Sequence, residues 1–518
     1  MPCRWPFLYA FPGLQGFNGR GRQLSKRDLK VVVIGAGMAG ILAGIKLREA
    51  GITDVTIYEK ADRIGGTWRE NTYPGLTCDT PSHHYTYSFE RNPDWSRYLP
   101  PGWEIQQYFE RVTEKYGLYE FIRFNEEATA AEYVDGRWHL TFKSGVHDSA
   151  DILIAATGVL HVPKVPDITG IDDFEGAIFH SARWDHSVTL DGKRIGVIGN
   201  GSTGVQIVSA LVERASLVEH YQRTPQWIMP VDNTPYTAEQ RASFRDPAVL
   251  EAEMDFEHFN HAVDIYTQAI IDEHSEGATF MAAECLRNLE ESVSDPELRE
   301  RLRPQHKPLC YRLVWSPDFY RAIQHPHATL VTEGIERIEA RGIRTRDGVL
   351  HELDVITLAT GFHADAFMRP MRFIGRNGTD LDEVWADSPK AYLAVSLPDF
   401  PNFFMLNGPN GPVGNFPLIA IAEQQWHFIS QIIEKLRSRE ADEISCTHQA
   451  MQRFEEERGV AAKKTVWYNG GCHSWYLNAE GIPASWPWTY STFLEKMSAP
   501  VWEDFECVSR VSRITPIG

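Results

Sequence analysis

Four things are scarce in this sequence, and each absence narrows the field. No apolar run reaches the roughly 20 residues that a bilayer-spanning helix needs. The longest, Val31 to Ile45, is shorter and carries four glycines. No two cysteines are closely spaced: the seven stand at 3, 78, 285, 310, 446, 472 and 507. That pattern excludes a CxxC motif or a zinc-ligand repeat, fits reduced thiols in an intracellular protein, and gives a cytoplasmic expectation. Positive charge is in deficit, with 51 Lys and Arg against 70 Asp and Glu and a formal net charge of −19. Such a chain is repelled by phosphate backbones, so nucleic acid is not the expected partner. The N-terminus has no continuous apolar segment and no small-residue cleavage site, so it does not read as a signal peptide. Its Trp5, Phe7, Leu8, Tyr9 and Phe11 leave a membrane-surface contact open.

What is present is length, aromatic residues and two glycine-rich turns. At 518 residues the chain needs two or three cores. The first turn follows the apolar strand Lys30–Ile34 and reads Gly35-Ala-Gly37-Met-Ala-Gly40. A helix from Met38 to Ala50 comes next, closed by Gly51, and then the strand Val55–Tyr58 and Glu59. Strand, glycines, helix, strand and acid in that order predict a dinucleotide site, with Glu59 on ribose hydroxyls. The pair Gly65-Gly66, followed by Thr67 and Trp68, lets backbone approach a bulky cofactor. Asp79 falls in a Pro- and Gly-rich loop, where turn capping is the default role.

The second turn repeats the arrangement. Strand Arg194–Ile198 runs into Gly199-Asn-Gly201-Ser202-Thr203-Gly204, and the partner strand Leu217–Gln222 is followed by Arg223 and Thr224. Arg223 occupies the offset that Glu59 holds in the first site. A guanidinium pairs with a 2′-phosphate where a carboxylate accepts from a free hydroxyl, so this site is expected to take NADPH rather than NADH. Residues 233–303 turn acidic and amphipathic, with helical periodicity over Ala248–Asn260 and Ala282–Glu291, and read as a helical insertion. Two Ala-Thr-Gly strand ends, at Gly158 and Gly361, mark the exit from the first domain and the return to it. The expected fold is α/β: two Rossmann-like dinucleotide-binding domains with a helical insertion. Residues 1–29 form an extension, 30–165 and 358–518 the first domain, and 166–232 and 304–357 the second. Core packing is the default reading of Trp475.

Between the two turns lies Phe174-x-Gly176-x-x-x-His180-x-x-x-Trp184-Asp185, a loop by its local sequence. Set between two dinucleotide fingerprints, it resembles the signature of the Baeyer–Villiger monooxygenases, within the flavin-containing monooxygenase superfamily, and in overall texture the fungal secondary-metabolism branch. General flavin-containing monooxygenases usually carry Tyr or Phe where Trp184 stands. The scattered cysteines also set the chain apart from flavin disulfide reductases. The resemblance extends from about Lys30 to about Lys496. It implies FAD in the first site, NADPH in the second, and insertion of one oxygen from O2 beside a ketone carbonyl through a flavin peroxide, giving an ester or lactone. It further implies that Arg312, ahead of Ser316-Pro-Asp-Phe-Tyr320, is the active-site cation, that Asp79 holds it, and that Trp475 closes over NADP. The chain departs from the family with Tyr311 where Lys is usual, and with no Lys after Gly481. Oxygenation of nitrogen or sulfur is the alternative activity. For His180, a purely structural role stands beside one of transmitting domain placement.

Overall fold

The computed structural model describes residues 26–509. The aromatic segment around Trp5 to Phe11 lies outside them. Ten strands build two parallel sheets: β1 (Val31–Ile34), β2 (Val55–Tyr58), β3 (Ile122–Arg123), β4 (Ile152–Ala155), β5 (Ala177–His180), β6 (Arg194–Ile198), β7 (Leu217–Tyr221), β8 (Ala328–Val331), β9 (Val355–Leu358) and β10 (Phe403–Met405). The first sheet has the order β10-β4-β1-β2-β3 and the second β8-β7-β6-β9-β5. Strands β1, β4 and β10 are buried throughout, as expected of parallel sheets covered on both faces. Helix α1 (Met38–Glu49) packs on the first sheet, the short helix α2 (Thr67–Glu70) opens beside it, and α3 (Ser202–Leu211) packs on the second. Each sheet thus has the strand-turn-helix entry of a dinucleotide fold, with the glycine turns at the carboxyl ends of β1 and β6.

The chain crosses between the two sheets twice, near 156–166 and 359–367, and the crossings are tied together. Lys164 N–H donates to the Gly361 carbonyl at 2.9 Å, and Thr360 Oγ1 donates to the Lys164 carbonyl at 2.6 Å.

Three expectations are corrected. The signature segment is not a loop: its centre is β5, an edge strand paired in parallel with β9 from Ala177–Val355 to His180–Leu358. Its apolar residues pack on both faces of that pairing, which local sequence does not reveal. The periodicity over 248–260 does not form one helix. It breaks at Asp255, whose side chain accepts from His258 N–H and caps α5 (Phe256–Ile271), following α4 (Pro247–Met254). α6 (Glu276–Ser292) completes the long helices of this region. Finally, two of the cysteines taken as reduced thiols are joined: Cys310 and Cys472 form a disulfide with a Cα–Cα distance of 6.1 Å. They are 162 residues apart in sequence, so spacing gave no sign of it. Cys78, Cys285 and Cys446 are free and buried, and Cys507 is free and exposed. Among the described residues no helix is long and apolar enough to cross a membrane, and no His, Cys, Asp and Glu cluster could hold a metal ion.

Candidate active site

One large cavity, of about 670 Å³, runs from the first glycine turn across the face between the sheets. At one end the backbones of Gly37 and Gly66 meet: a Cβ on Gly66 would sit 3.2 Å from the Gly37 Cα, so a side chain here would crowd the turn. Gly35 and Gly40 close that turn, and a Cβ on Gly40 would collide with the Gly35 carbonyl. Glu59 lines the same end and is buried. Its Oε2 accepts from Ala36 N–H at 2.8 Å, and Oε1 from Ala61 N–H and Arg69 Nη1, both at 3.0 Å. Thr67 and Trp68 line the wall, Trp68 donating through Nε1 to the Tyr85 hydroxyl at 3.1 Å.

The second turn reaches the cavity only through Ser202 and Thr203 at the start of α3. Gly199, Gly201 and Gly204 shape the turn behind them; a Cβ on Gly204 would collide with the Gly199 carbonyl. Arg223 stands off the cavity, exposed, with no ion pair among the described residues. Thr224 lies next to it, its carbonyl accepting from Asn200 Nδ2. Gln206 of α3 spans the two domains, accepting from the Tyr73 hydroxyl at 2.9 Å and donating to the Thr77 carbonyl at 3.1 Å.

Opposite the first turn, Arg312 and Asp79 form a bidentate pair across 233 residues of sequence, Nε to Oδ2 at 2.7 Å and Nη2 to Oδ1 at 2.8 Å. The third guanidinium nitrogen, Nη1, donates to the Gly414 carbonyl at 2.7 Å. Burial alone would raise the Asp79 pKa, but the Arg312 charge and its hydrogen bonds outweigh that and hold the carboxyl below its usual range. On Arg312 burial works the other way and Asp79 again prevails, so the guanidinium is firmly charged. Asp79 therefore does more than cap a turn. The pair is not sealed off: the Arg312 side chain is 34% exposed, and both residues line the cavity.

Trp315, Val413, Phe416, Leu418 and Trp475 wall this end. Trp475 is 42% exposed, so the core-packing expectation fails. Its ring lies against that of Tyr476, centroids 4.2 Å apart, and Tyr476 is buried against Trp467. The Tyr476 hydroxyl packs against Gly414: a Cβ there, at φ +88°, would come within 2.5 Å of it. The Cys310–Cys472 disulfide ties the segment carrying Arg312 to the segment carrying Trp475 and Tyr476.

The signature residues surround the domain crossing. His180 Nδ1 accepts from Ala182 N–H at 3.1 Å, which leaves the ring proton on Nε2, 2.9 Å from the Gly361 carbonyl. Burial lowers the His180 pKa, so the ring is neutral at pH 7. Phe174 and Trp184 are buried, Trp184 edge-on to Phe179 at 4.9 Å, and a Cβ on Gly176 would press on the Phe174 ring. Asp185 is exposed and holds a turn, accepting from Ser187 N–H at 2.9 Å. Sequence reasoning missed several cavity residues. Arg183 lies inside the signature itself, 3.7 Å from Glu70, Trp315 ends a two-residue strand paired with Met229, and Gly414 lies in a loop without periodicity. Asn407 lines the cavity from the Gly/Pro/Asn loop after the buried strand at 403–405, the place the sequence pattern assigns to a loop near the flavin.

Comparison with known proteins agrees with this geometry. Residues 32–245 match the family model described as pyridine nucleotide-disulphide oxidoreductase. An uncharacterised monooxygenase of Mycobacterium tuberculosis is 49% identical over 457 residues, covering 88% of this chain and 92% of the relative. A Baeyer–Villiger monooxygenase of Streptomyces coelicolor is 34% identical, covering 90% of each chain. A crystal structure of OTEMO in complex with FAD and NADP superposes with a TM-score of 0.82 at 27% identity, covering 93% of this chain and 99% of that one. The first of these relatives, at 49%, is mycobacterial, so the fungal placement expected from overall texture gains no support from it.

Proposed function

This chain belongs to the flavoprotein monooxygenases that use NADPH, and we propose that it carries out Baeyer–Villiger oxidation, inserting one atom of O2 beside a ketone carbonyl to give an ester or lactone. The observation that carries the reading is the fixed cation: Arg312, held on three nitrogens by Asp79 and the Gly414 carbonyl, faces an apolar-walled cavity. The cradle fits FAD, with bare backbone at Gly37 and Gly66 for close approach and the Glu59 carboxylate at the ribose end. Bound there and reduced by NADPH, FAD would supply the electrons that activate O2.

The protein's part is positioning and charge. Arg312 keeps its proton at neutral pH, so it stabilises an oxygen-centred anion without neutralising it. The same charge stabilises the oxyanion that develops on the ketone. Asp79 orients the guanidinium and, staying ionised, keeps it from swinging toward solvent. Trp315, Val413, Phe416 and Leu418 keep water from the reacting atoms. Gly35, Gly37, Gly40, Gly66, Thr67 and Trp68 hold the first dinucleotide. Gly199, Gly201, Ser202, Thr203 and Gly204 hold the second, with Arg223 and Thr224 on its 2′-phosphate and Trp475 covering it. Residues 30–165 with 358–518 serve as the FAD domain, 166–232 with 304–357 as the NADPH domain, and 233–303 as a helical insertion. Oxygen transfer to an amine or sulfide needs a proton donor at this point, and Arg312 offers none.

The test is product analysis with NADPH, O2 and a panel of ketones, sulfides and amines. Ketones should gain one oxygen as esters. Arg312→Ala should lower ester output by roughly 10²–10³ while NADPH still reduces the flavin. Undiminished ester output in the variant, or oxygenation confined to sulfides and amines, would overturn the reading.

A further inference from the structure

Three asparagines flank β10, one before it and two after. Asn402, Asn407 and Asn410 all adopt left-handed backbone, with φ of 55°, 56° and 65°, and all three are buried. Asparagine tolerates this conformation well, so backbone geometry alone accounts for the residue type at each position. It does not account for what the side chains do.

Asn402 uses both ends of its carboxamide on the protein: Oδ1 accepts from Ile444 N–H at 2.9 Å and Nδ2 donates to the Asp442 carbonyl at 3.0 Å. Asn410 does the same, with Ala391 N–H at 2.9 Å and the Ala484 carbonyl at 3.0 Å. Asn407 is only 5% exposed, yet neither end of its carboxamide has a partner among the described residues; only its backbone N–H is engaged, by Gln425 Oε1 at 2.7 Å. A buried polar group left unpaired costs free energy that its two neighbours avoid. Of the three, Asn407 alone lines the cavity.

We propose that Asn407 is a binding residue whose carboxamide pairs with the imide edge of the flavin ring. The inference rests on FAD occupying the first site. A carboxamide presents a donor beside an acceptor. Its complement is a group with a carbonyl next to an N–H, and the pyrimidine edge of the isoalloxazine, N3–H between two carbonyls, is such a group. Position supports this choice over a substrate hydroxyl. Asn407 lies two residues beyond β10, at the carboxyl edge of the first sheet. The sheet order puts it on the far side of β1 from β2 and Glu59, away from the ribose end. Ligands of open parallel sheets lie along that edge.

The test uses the full chain freed of flavin and retitrated with FAD and with N3-methyl-FAD, monitored by flavin fluorescence. Glycine keeps the left-handed backbone, so Asn407→Gly should retain the fold. FAD should bind the variant roughly tenfold more weakly, the scale of one buried polar group left unmatched. NADP+ affinity of the flavin-loaded protein should be unchanged. N3-methyl-FAD should bind the parent at least about tenfold more weakly than FAD, and this penalty should shrink in the variant. The parent measurement alone tests the proposal should the variant misfold: N3-methyl-FAD binding the parent as tightly as FAD would overturn it. So would an unchanged FAD affinity in Asn407→Gly, or a loss confined to NADP+, which would assign the carboxamide to the nicotinamide. A parent that bound no FAD would bring down the functional reading itself, an outcome distinct from failure of Asn407 alone.

Discussion

The Arg312–Asp79 pair is where residue chemistry can be checked most directly. Asp79 has a folded-state pKa below its unfolded value, so the pair's contribution is complete above the ordinary carboxylate pKa. It is lost only as pH falls through the lowered value. The pH profile of kcat/KM for ester formation should therefore show no acid limb from Asp79 above about pH 4; a limb near pH 6 that vanished in Asp79→Asn would contradict the pairing. Asp79→Asn keeps the shape and removes the charge that anchors the guanidinium. It should cost ester formation about 10- to 100-fold, less than loss of Arg312 itself, with flavin reduction by NADPH preserved. Arg223 invites a different measurement, because it stands free of any ion pair among the described residues. Arg223→Ala should raise KM for NADPH at least about tenfold, the value of a charge-assisted contact to phosphate, and leave KM for NADH nearly unchanged. Equal losses with both nucleotides would detach Arg223 from the 2′-phosphate.

At the scale of elements, the two strand-turn-helix entries were legible because each is local. An apolar strand, glycines that tolerate close packing, a capped helix and a charged residue at the next strand end all fall within about 30 residues. Asp79 and Arg312 could be brought together only through family resemblance, since no local pattern links residues 233 positions apart. What escaped is non-local as well. Gly414 matters because of where Arg312 Nη1 and the Tyr476 hydroxyl arrive from other segments, and the strand nature of 177–180 depends on β9, far along the chain. The Cys310–Cys472 bond belongs to the same class, and it joins the segment carrying Arg312 to the one carrying Trp475. Closing so long a loop constrains the unfolded chain, and its loss is worth roughly 2–5 kcal/mol. Cys472→Ser should lower Tm and open the segment around 473–483 to limited proteolysis, and alkylation with mass spectrometry should find Cys310 and Cys472 unreactive in the parent until a reductant is added. Full labelling of both cysteines in unreduced folded protein would show that the bond does not form.

The whole molecule works as two nucleotide-binding bodies joined by a double crossing, and His180 closes that joint. Its Nε2–H reaches the Gly361 carbonyl on one crossing segment, three residues past the end of β9, and Lys164 N–H from the other crossing segment donates to that same carbonyl. One backbone oxygen thus collects a hydrogen bond from each side of the joint. Burial holds the ring neutral, with its folded pKa below the unfolded one. The unfolded chain therefore takes up this proton first, and the histidine's contribution is complete above about pH 6.5 and declines as pH falls below it. Protonation would also destroy the Nδ1 acceptor that Ala182 N–H uses, loosening the turn into Trp184. On the proposed function, hydride passes between cofactors held by different bodies, so the joint is expected to govern how often the two are aligned and Arg312 the later transfer of oxygen. His180→Ala should slow flavin reduction by NADPH about tenfold in stopped-flow absorbance, on the scale of one buried hydrogen bond lost at a joint. With flavin reduced chemically by dithionite, the subsequent oxygen transfer to ketone should proceed at nearly the parent rate. If His180→Ala reduced its flavin as fast as the parent, the histidine would be an ordinary structural residue. If reduction and oxygen transfer fell together, the change would have spread to the Arg312 end of the cavity, and the division of labour between joint and cation would be wrong.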